Sequence, residues 1–423
     1  MKAVDSDRAL QRRNFILNAL EGATYIGSNG FAAVQTVIPA IVAGLGGSNL
    51  AVGAVQVAGF SFQFLPQIFA ARYAEASPWK RTGTLRFGFI QRCVMIVMAL
   101  VLFLLGGSYP WVALPVLLSL YAVNQAFSGL AGPYWFDFIA KVTPPHWRGR
   151  LIGIRTSSGG VFALIAGLML TGILASVQFP ASYALALALA GLMQFASLVI
   201  QARVIEATPS DVAPLHTVAS YFQELPEIIR GSREFGRFIL SMALLILGSM
   251  AVPFFPVYAV RELHAQDEMV GAYTTMMVVI QIGSALLTGF VADRFGNKRA
   301  LIIAGSGLAM ASLLAVVTDS PSAYLFVYLF LGINVGSEVM SRYNMAIDFA
   351  PEQRRSTFVG LVNTVLAPMY LAGILGGFIS DMFGYRAVFL VSLFFSCAGI
   401  VVLAFLVKEP RAPAARHRAQ AAA

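Results

Sequence analysis

Charge is scarce in this chain: Asp, Glu, Lys and Arg make up 12% of its 423 residues, about half the share usual in soluble domains. That excludes a string of soluble domains, which a chain of this length otherwise suggests. Cysteine is scarcer still, and the two present, Cys93 and Cys397, fall in apolar stretches of different halves. They offer neither a disulfide framework nor metal-ligand spacing, and are expected to be small packing residues. No G-x-x-x-x-G-K-[ST] loop occurs, which removes ATP as a direct energy source. No nucleophile–base or metal arrangement stands at usable spacing, so neither an enzyme nor a bound cofactor is expected.

Apolar sequence is what the chain has in excess. Hydrophobic residues make up 58%. They gather in twelve stretches, at roughly 14–43, 50–71, 87–106, 111–136, 151–174, 183–204, 238–260, 269–291, 300–318, 324–347, 358–379 and 387–407. A hydrocarbon core of ~30 Å needs about 20 apolar residues per helical crossing, so each stretch is expected to span a bilayer. The net charge of +9 would suit nucleic acid, but its placement decides otherwise. All Lys and Arg except Arg261 and Arg386 lie in the tails, in the even-numbered loops, or at the helix ends beside them. This asymmetry puts both termini in the cytoplasm and sets membrane lipid, not nucleic acid, beside the basic loops. The first span is not a cleaved signal peptide: its apolar region is long, carries Asn18, Glu21, Asn29 and Gln35, and has no small-residue cleavage site.

The chain divides into a first set of six spans (1–204), a polar linker (205–237), a second set of six (238–408) and a basic tail (409–423). In the linker, Val218, Tyr221, Phe222, Leu225, Ile228 and Ile229 recur at helical spacing. A helix lying on the membrane surface and a plain linker both fit. The halves echo each other in the same orientation. FAARYAEASPWKR after span two answers FVADRFGNKR after span eight, and DFIAKVTPPHWRGRLIG after span four answers DFAPEQRRSTFVG after span ten. Parallel repeats of six spans are one way to build a transporter that rocks about a midplane site.

The segment from Gly289 to Arg299, GFVADRFGNKR, resembles the loop motif of the major facilitator superfamily, G-x-x-x-D-R-x-G-x-[KR]-[KR]. Every defined position matches, and the segment sits between spans eight and nine, where that family carries it. The resemblance covers the whole chain. It implies an all-α membrane protein of twelve transmembrane helices in two six-helix bundles related by a pseudo-two-fold axis. The first-half copy keeps only Arg72 and the pair Lys80-Arg81, with Ala71 where Asp is expected and a longer loop. Physically, Gly289 and Gly296 permit close backbone approach and a tight turn. Asp293 can face the positive N-terminus of a neighbouring helix. Arg294, Lys298 and Arg299 can stay near anionic lipid heads. The resemblance implies that these six residues, with Arg72, form a conformational latch. The bare alternative is that they are topogenic charges only.

Ionisable groups inside the spans are expensive in hydrocarbon, so those present carry most of the functional signal. Helical spacing puts Asn18, Glu21, Tyr25, Ser28 and Asn29 on one broad face of span one. In span ten, Asn334, Glu338 and Arg342 follow at intervals of four, and the last two can pair along the helix. The family resemblance implies that spans one, four, seven and ten line the cavity. That would bring in Asn124, Gln125 and Ser128 from span four and Phe254 beside a bend at Pro253–Pro256 in span seven. Gln281, Gln63 and Gln67 can contribute from the flanks. Glu21 has no basic neighbour in its own helix, so it is the expected proton-exchange group, with Glu338 as the second coupling carboxylate. Structural readings stand beside these: a plain ion pair for Glu338–Arg342, hydrogen bonding within the bundle for Glu21, and snorkelling to the interface for Arg92 and Arg155.

Signatures of drug/proton antiporters, sugar carriers, peptide carriers and phosphate or nitrate carriers are all missing from the spans where those groups carry them. The expectation is a monomeric secondary transporter of a small organic molecule in a bacterial inner membrane. It is expected to be coupled to protons, with export given a slight preference on base rate alone. An uncoupled facilitator or lipid translocase on the same fold, and a non-transporting sensor, are the alternatives.

Overall fold

The computed structural model describes residues 2–210, 212, 232–350 and 355–410. The linker residues from Val218 to Ile229, where a surface helix was one of two expectations, lie outside the described residues, as does the tail from 411 onward. All regular elements among the described residues are helices. With broken helices grouped, they form twelve passages. Ten are long and apolar enough to cross a membrane. These are Asn49–Glu75 (span 2), Lys80–Leu105 (span 3), Pro110–Val142 (span 4), Pro145–Ser176 (span 5), Ala181–Ala202 (span 6), Arg233–Arg261 (span 7), Asp267–Phe295 (span 8), Asn297–Val317 (span 9), Gly360–Phe383 (span 11) and Tyr385–Leu406 (span 12). The other two are span 1, made of Lys2–Gly27 and Val37–Gly44, and span 10, Leu325–Phe349. These two carry the polar stripes around Glu21 and Glu338, and the stripes lower their apolarity.

Spans 1 and 7 break at matching places. The long helix of each stops at a glycine, Gly27 or Gly248, and passes into a short 3-10 turn. A second helix resumes at Val37 in one and Phe254 in the other. Both resumed helices have proline as third residue, Pro39 and Pro256. Proline is tolerated in a first turn but not in a helix interior, so it marks a fresh start. The bend expected at Pro253–Pro256 is therefore present, and span 1 carries its repeat-related twin.

The halves also share a clasp at the end of the molecule that carries the even-numbered loops, here called the basic end. Glu206, just beyond span 6, accepts hydrogen bonds from the backbone amides of Lys80 (3.1 Å) and Arg81 (2.9 Å) at the start of span 3. Glu409, just beyond span 12, accepts from the amide of Lys298 (3.0 Å) at the start of span 9. Each carboxylate thus meets the orphan amides and positive end of a helix.

The two bundles meet along span 2 with span 11 and span 5 with span 8. Glycines set the approach. Side chains at Gly53 and Gly373 would each overlap the other's carbonyl oxygen, and one at Gly271 would meet the Thr171 backbone at 2.6 Å. Gly149, Gly153, Gly283 and Gly289 face open space, so no such approach occurs there. At the opposite, far end, hydrogen bonds join the bundles.

Candidate functional site

Where the bundles part, they enclose a cavity of about 290 Å³, at the low end of the ~300–1,000 Å³ typical of ligand pockets. Its polar lining comes from Gln35 of span 1, Gln56 and Gln63 of span 2, Ser249 of span 7, and Asn334, Glu338 and Arg342 of span 10. Phe60, Phe64, Tyr343 and Tyr370 supply aromatic walls. Phe60 stacks on Tyr370 across the bundle boundary, with centroids 4.6 Å apart. The irregular segments flank this place: span 2 loosens to a π-turn at Val57–Ser61, and span 11 tightens to a 3-10 turn at Ala367–Leu371. Such local changes of pitch are frequent at functional positions.

The ion pair expected in span 10 is there. Arg342 Nε lies 3.1 Å from Glu338 Oε1. Arg342 is 1% exposed, whereas the Glu338 side chain is 22% exposed and opens to the cavity. Two aromatic rings lie against the guanidinium. Its carbon sits 5.6 Å from the Phe64 ring centroid and 5.5 Å from that of Tyr343, an arrangement favourable to a cation. Tyr370 lines the same cavity. Among the described residues Nη1 has no hydrogen-bond partner.

The polar stripe of span 1 has a different fate. Glu21 is ion-paired with Arg155 of span 5 and accepts from the Ser197 hydroxyl of span 6 at 3.1 Å. Gly22 leaves room for that arginine; a side chain there would meet it at 2.6–2.7 Å. Arg155 also donates to the Asn18 carbonyl and lies 4.8 Å over the Trp135 ring. Arg92 of span 3 is buried too, donating to Gln194 O (3.0 Å), Gly88 O (3.0 Å) and Gln91 Oε1 (3.1 Å), with its guanidinium over Tyr25. Two expectations are therefore corrected. Glu21 has no basic neighbour in its own helix, but another helix supplies one, so it is not the lone acid expected; and neither Arg92 nor Arg155 snorkels to the interface. The stripe faces spans 3, 5 and 6 inside its own bundle, because three buried cations and carboxylates there satisfy one another away from lipid.

The cavity membership expected from the resemblance is corrected in the same way. Of its candidates, Asn334, Glu338 and Arg342 line the cavity, and Gln63 joins from the flank. Asn18, Tyr25, Asn29, Asn124, Gln125, Phe254 and Gln281 do not. Asn18 bonds back to Asn14 O, Tyr25 accepts from Gln91, and Asn124 donates to Gln91 O. Gln125 is half-buried outside the lining, and Phe254 is fully buried beside Tyr385. Asn29 is exposed and Gln281 half-buried outside the lining. Gln67 bonds Asn363 of span 11 at 3.3 Å, closing the cavity on its basic side. Sequence reasoning missed Gln35, Gln56, Ser249 and Tyr370. The proline-marked breaks of spans 1 and 7 were the available signal, since Gln35 and Ser249 sit in them.

The far end is sealed by a polar cluster also absent from the expectations. Arg261 donates to Asn49 Oδ1 (3.1 Å) and the Gly47 carbonyl, Tyr385 donates to Asn49 Oδ1 (2.7 Å), and Asn49 donates to Asp381 Oδ1 (2.8 Å). Thr36 and Thr274 share a hydrogen bond of 2.6 Å, and Gln56 donates to Ser249 at 2.7 Å. Each of these contacts joins one bundle to the other.

In the loop motif, Gly296 has φ +95°, the backbone conformation glycine permits. Asn297 donates to Asp348 at 2.7 Å, and Lys298 Nζ to the Ala404 carbonyl at 2.7 Å, both within the second bundle. Arg294 and Arg299 lie over the Phe295 ring. Close approach at Gly289 is not found. Asp293 is exposed, with no partner given among the described residues. Residues 351–354, which precede span 11 in the sequence, lie outside them. Arg72 is half-buried over Tyr73, at 4.9 Å.

Comparison with known proteins follows from this geometry. Residues 237–423 match the profile of the Major Facilitator Superfamily. A multi-drug resistance efflux pump of Streptococcus pneumoniae is 30% identical over 193 residues, covering 44% of this chain and 46% of the pump. A sugar efflux transporter of Salmonella typhimurium is 26% identical over 154 residues, 35% of this chain and 38% of that protein. The chain thus spans about half the length, or less, of these curated relatives. A solved D-xylose–proton symporter superposes with a TM-score of 0.67 at 16% identity, covering 95% of this chain and 98% of the symporter. That likeness shows the fold.

Proposed function

We propose that this chain, whose second half matches the Major Facilitator Superfamily profile, is a secondary transporter of a small organic solute. The solute binds in the cavity between the bundles and crosses by alternating access, coupled to proton movement through Glu338. One observation carries the reading: a cavity closed at one end by bundle-to-bundle contacts contains an ion pair, with its carboxylate half open and its arginine buried. The basic end is read as cytoplasmic from the distribution of Lys and Arg. Glu21 is set aside as the proton carrier, because its charge is already matched by Arg155 and it does not reach the cavity.

The direction follows the charge of the solute. A solute that competes with the proton for Glu338 is exchanged against it and leaves the cell. One that binds together with the proton travels alongside it. The efflux relatives support the first case.

The test is reconstitution of the full chain in liposomes with an internal pH-sensitive dye. Solute added outside should trigger proton movement in the wild type, and Glu338→Gln should abolish that movement while the solute still binds. Solute-driven proton movement unchanged in Glu338→Gln removes Glu338 from the coupling. Solute transport with no proton movement in the wild type points to an uncoupled facilitator.

A further inference from the structure

We propose that the cavity takes an organic anion, a carboxylate on a small aromatic or apolar body, and that its carboxylate occupies the unpartnered edge of Arg342. This rests on the transporter reading and names the substrate class of that site. The Phe64 and Tyr343 rings pack against the guanidinium. Nε lies within ion-pair distance of Glu338 Oε1, at 3.1 Å, without making a hydrogen bond to it. Nη1 is buried without a partner among the described residues, although Arg342 lines the cavity. A buried N–H left unmade is costly, and a planar carboxylate fits the arginine fork better than any other small group. The remaining walls suit an apolar body: Phe60 and Tyr370 are stacked at 4.6 Å, with Val252, Leu308 and Leu331 beside them.

Charge balance then fixes the sense of coupling. With Glu338 ionised, a bound monoanion leaves the cavity with one net negative charge. With Glu338 protonated, the site is neutral. The titratable groups facing Glu338 are Arg342 and Tyr343 of span 10 and Tyr370 of span 11; the cavity residues from spans 1, 2, 7 and 9 include none. A neutral complex is preferred away from water, so anion and proton bind together. Each raises the affinity for the other by the same factor. For this solute class the protein is an anion–proton cotransporter, and an inward proton gradient drives uptake.

The probes are phenylacetate, its uncharged amide and the matching amine, phenethylamine. Binding to the purified full-length protein is read by ligand-dependent thermal stabilisation and calorimetry. Phenylacetate should bind ~10- to 100-fold more tightly than the amide or the amine, the loss expected when a charge-assisted pair is removed. Between about pH 8 and pH 6, where the probe's own carboxylate stays ionised, its affinity should rise. Glu338→Gln should bind it with little pH dependence, and Arg342→Gln should not bind it. The acid–amide comparison uses the wild-type chain, so it stands even where Arg342→Gln does not fold. Equal binding of acid and amide, preference for the amine, or no binding of any of the three overturns the inference. The transporter reading is judged separately, by labelling a cysteine at Val252 from each side of the membrane. Access from both sides retains it even when the anion inference fails.

Discussion

Gly377 of span 11 lies against the first turn of span 2 at the far end. A methyl group there would sit 2.6 Å from the Asn49 carbonyl oxygen and 2.8 Å from Leu50 Cα. Carbon atoms pack best at about 3.5–4.0 Å, so the added carbon is roughly 1 Å too close. Both neighbours are backbone, which no rotamer change can move aside. Overpacking of this kind costs about 1–3 kcal/mol. The cost falls only on the state in which spans 2 and 11 touch at the far end, and opening that end relieves it. Gly377→Ala should therefore shift the equilibrium about 5- to 150-fold toward far-end opening. The assay is the labelling rate of a cysteine at Val252 by an impermeant maleimide added on the far side. Cys93 and Cys397 are first replaced, because both are free thiols. Gly283→Ala is the control, since a methyl group there meets open space. If Gly377→Ala labels at the parental rate and melts at the parental temperature, the far end is not closed by this contact.

Three further outcomes follow from the same geometry. Glu21→Gln should lower thermal stability by about 3–5 kcal/mol, the cost of stranding one partner of a buried pair; adding Arg155→Gln should recover part of the loss, and additive losses in the double mutant would mean that the two residues do not act as a pair. Asp293→Asn should leave expression intact and change the ratio of far-side to basic-side labelling at Val252, because a contact made in one state alone biases the equilibrium; an unchanged ratio reduces the loop motif to topology. A cysteine at Gln266, in the loop before span 8, should react with impermeant reagent only from outside the cell, and labelling from the cytoplasmic side alone would invert the assigned orientation.

The architecture was legible because a bilayer imposes a length and a polarity on every crossing. The repeat, the bend at Pro253–Pro256 and the pair Glu338–Arg342 could all be read along a single helix. What could not be read is which way each helix turns its polar face. Span 1 looked cavity-facing because a stripe holding Glu21 cannot face lipid, but facing its own bundle satisfies the same constraint. Its partner Arg155 lies four spans later, and only a pairing of lone opposite charges within one half would have found it. The far-end cluster around Asn49 was illegible for a related reason. Its members come from spans 2, 7, 11 and 12; only Arg261 stood out, as a cation on the wrong side of the charge asymmetry, and nothing in its own segment names its partners.

The buried network around Glu21 also sets an order of assembly. A carboxylate or guanidinium at mid-helix disfavours membrane insertion by about 2.5–3.5 kcal/mol on biological scales, and span 1 carries such a group before its counter-ion in span 5 exists. Arg155 follows Glu21 by 134 residues, which at ~5–20 residues per second is about 7–27 s of synthesis. Ser197 comes later still, 176 residues on. Through that interval nascent span 1 can only wait at the edge of the bilayer or in the keeping of the insertion machinery. A ribosome stalled before span 5 would leave a lone acid to be recognised and cleared. The first bundle thus becomes a settled unit only when its sixth helix has been delivered.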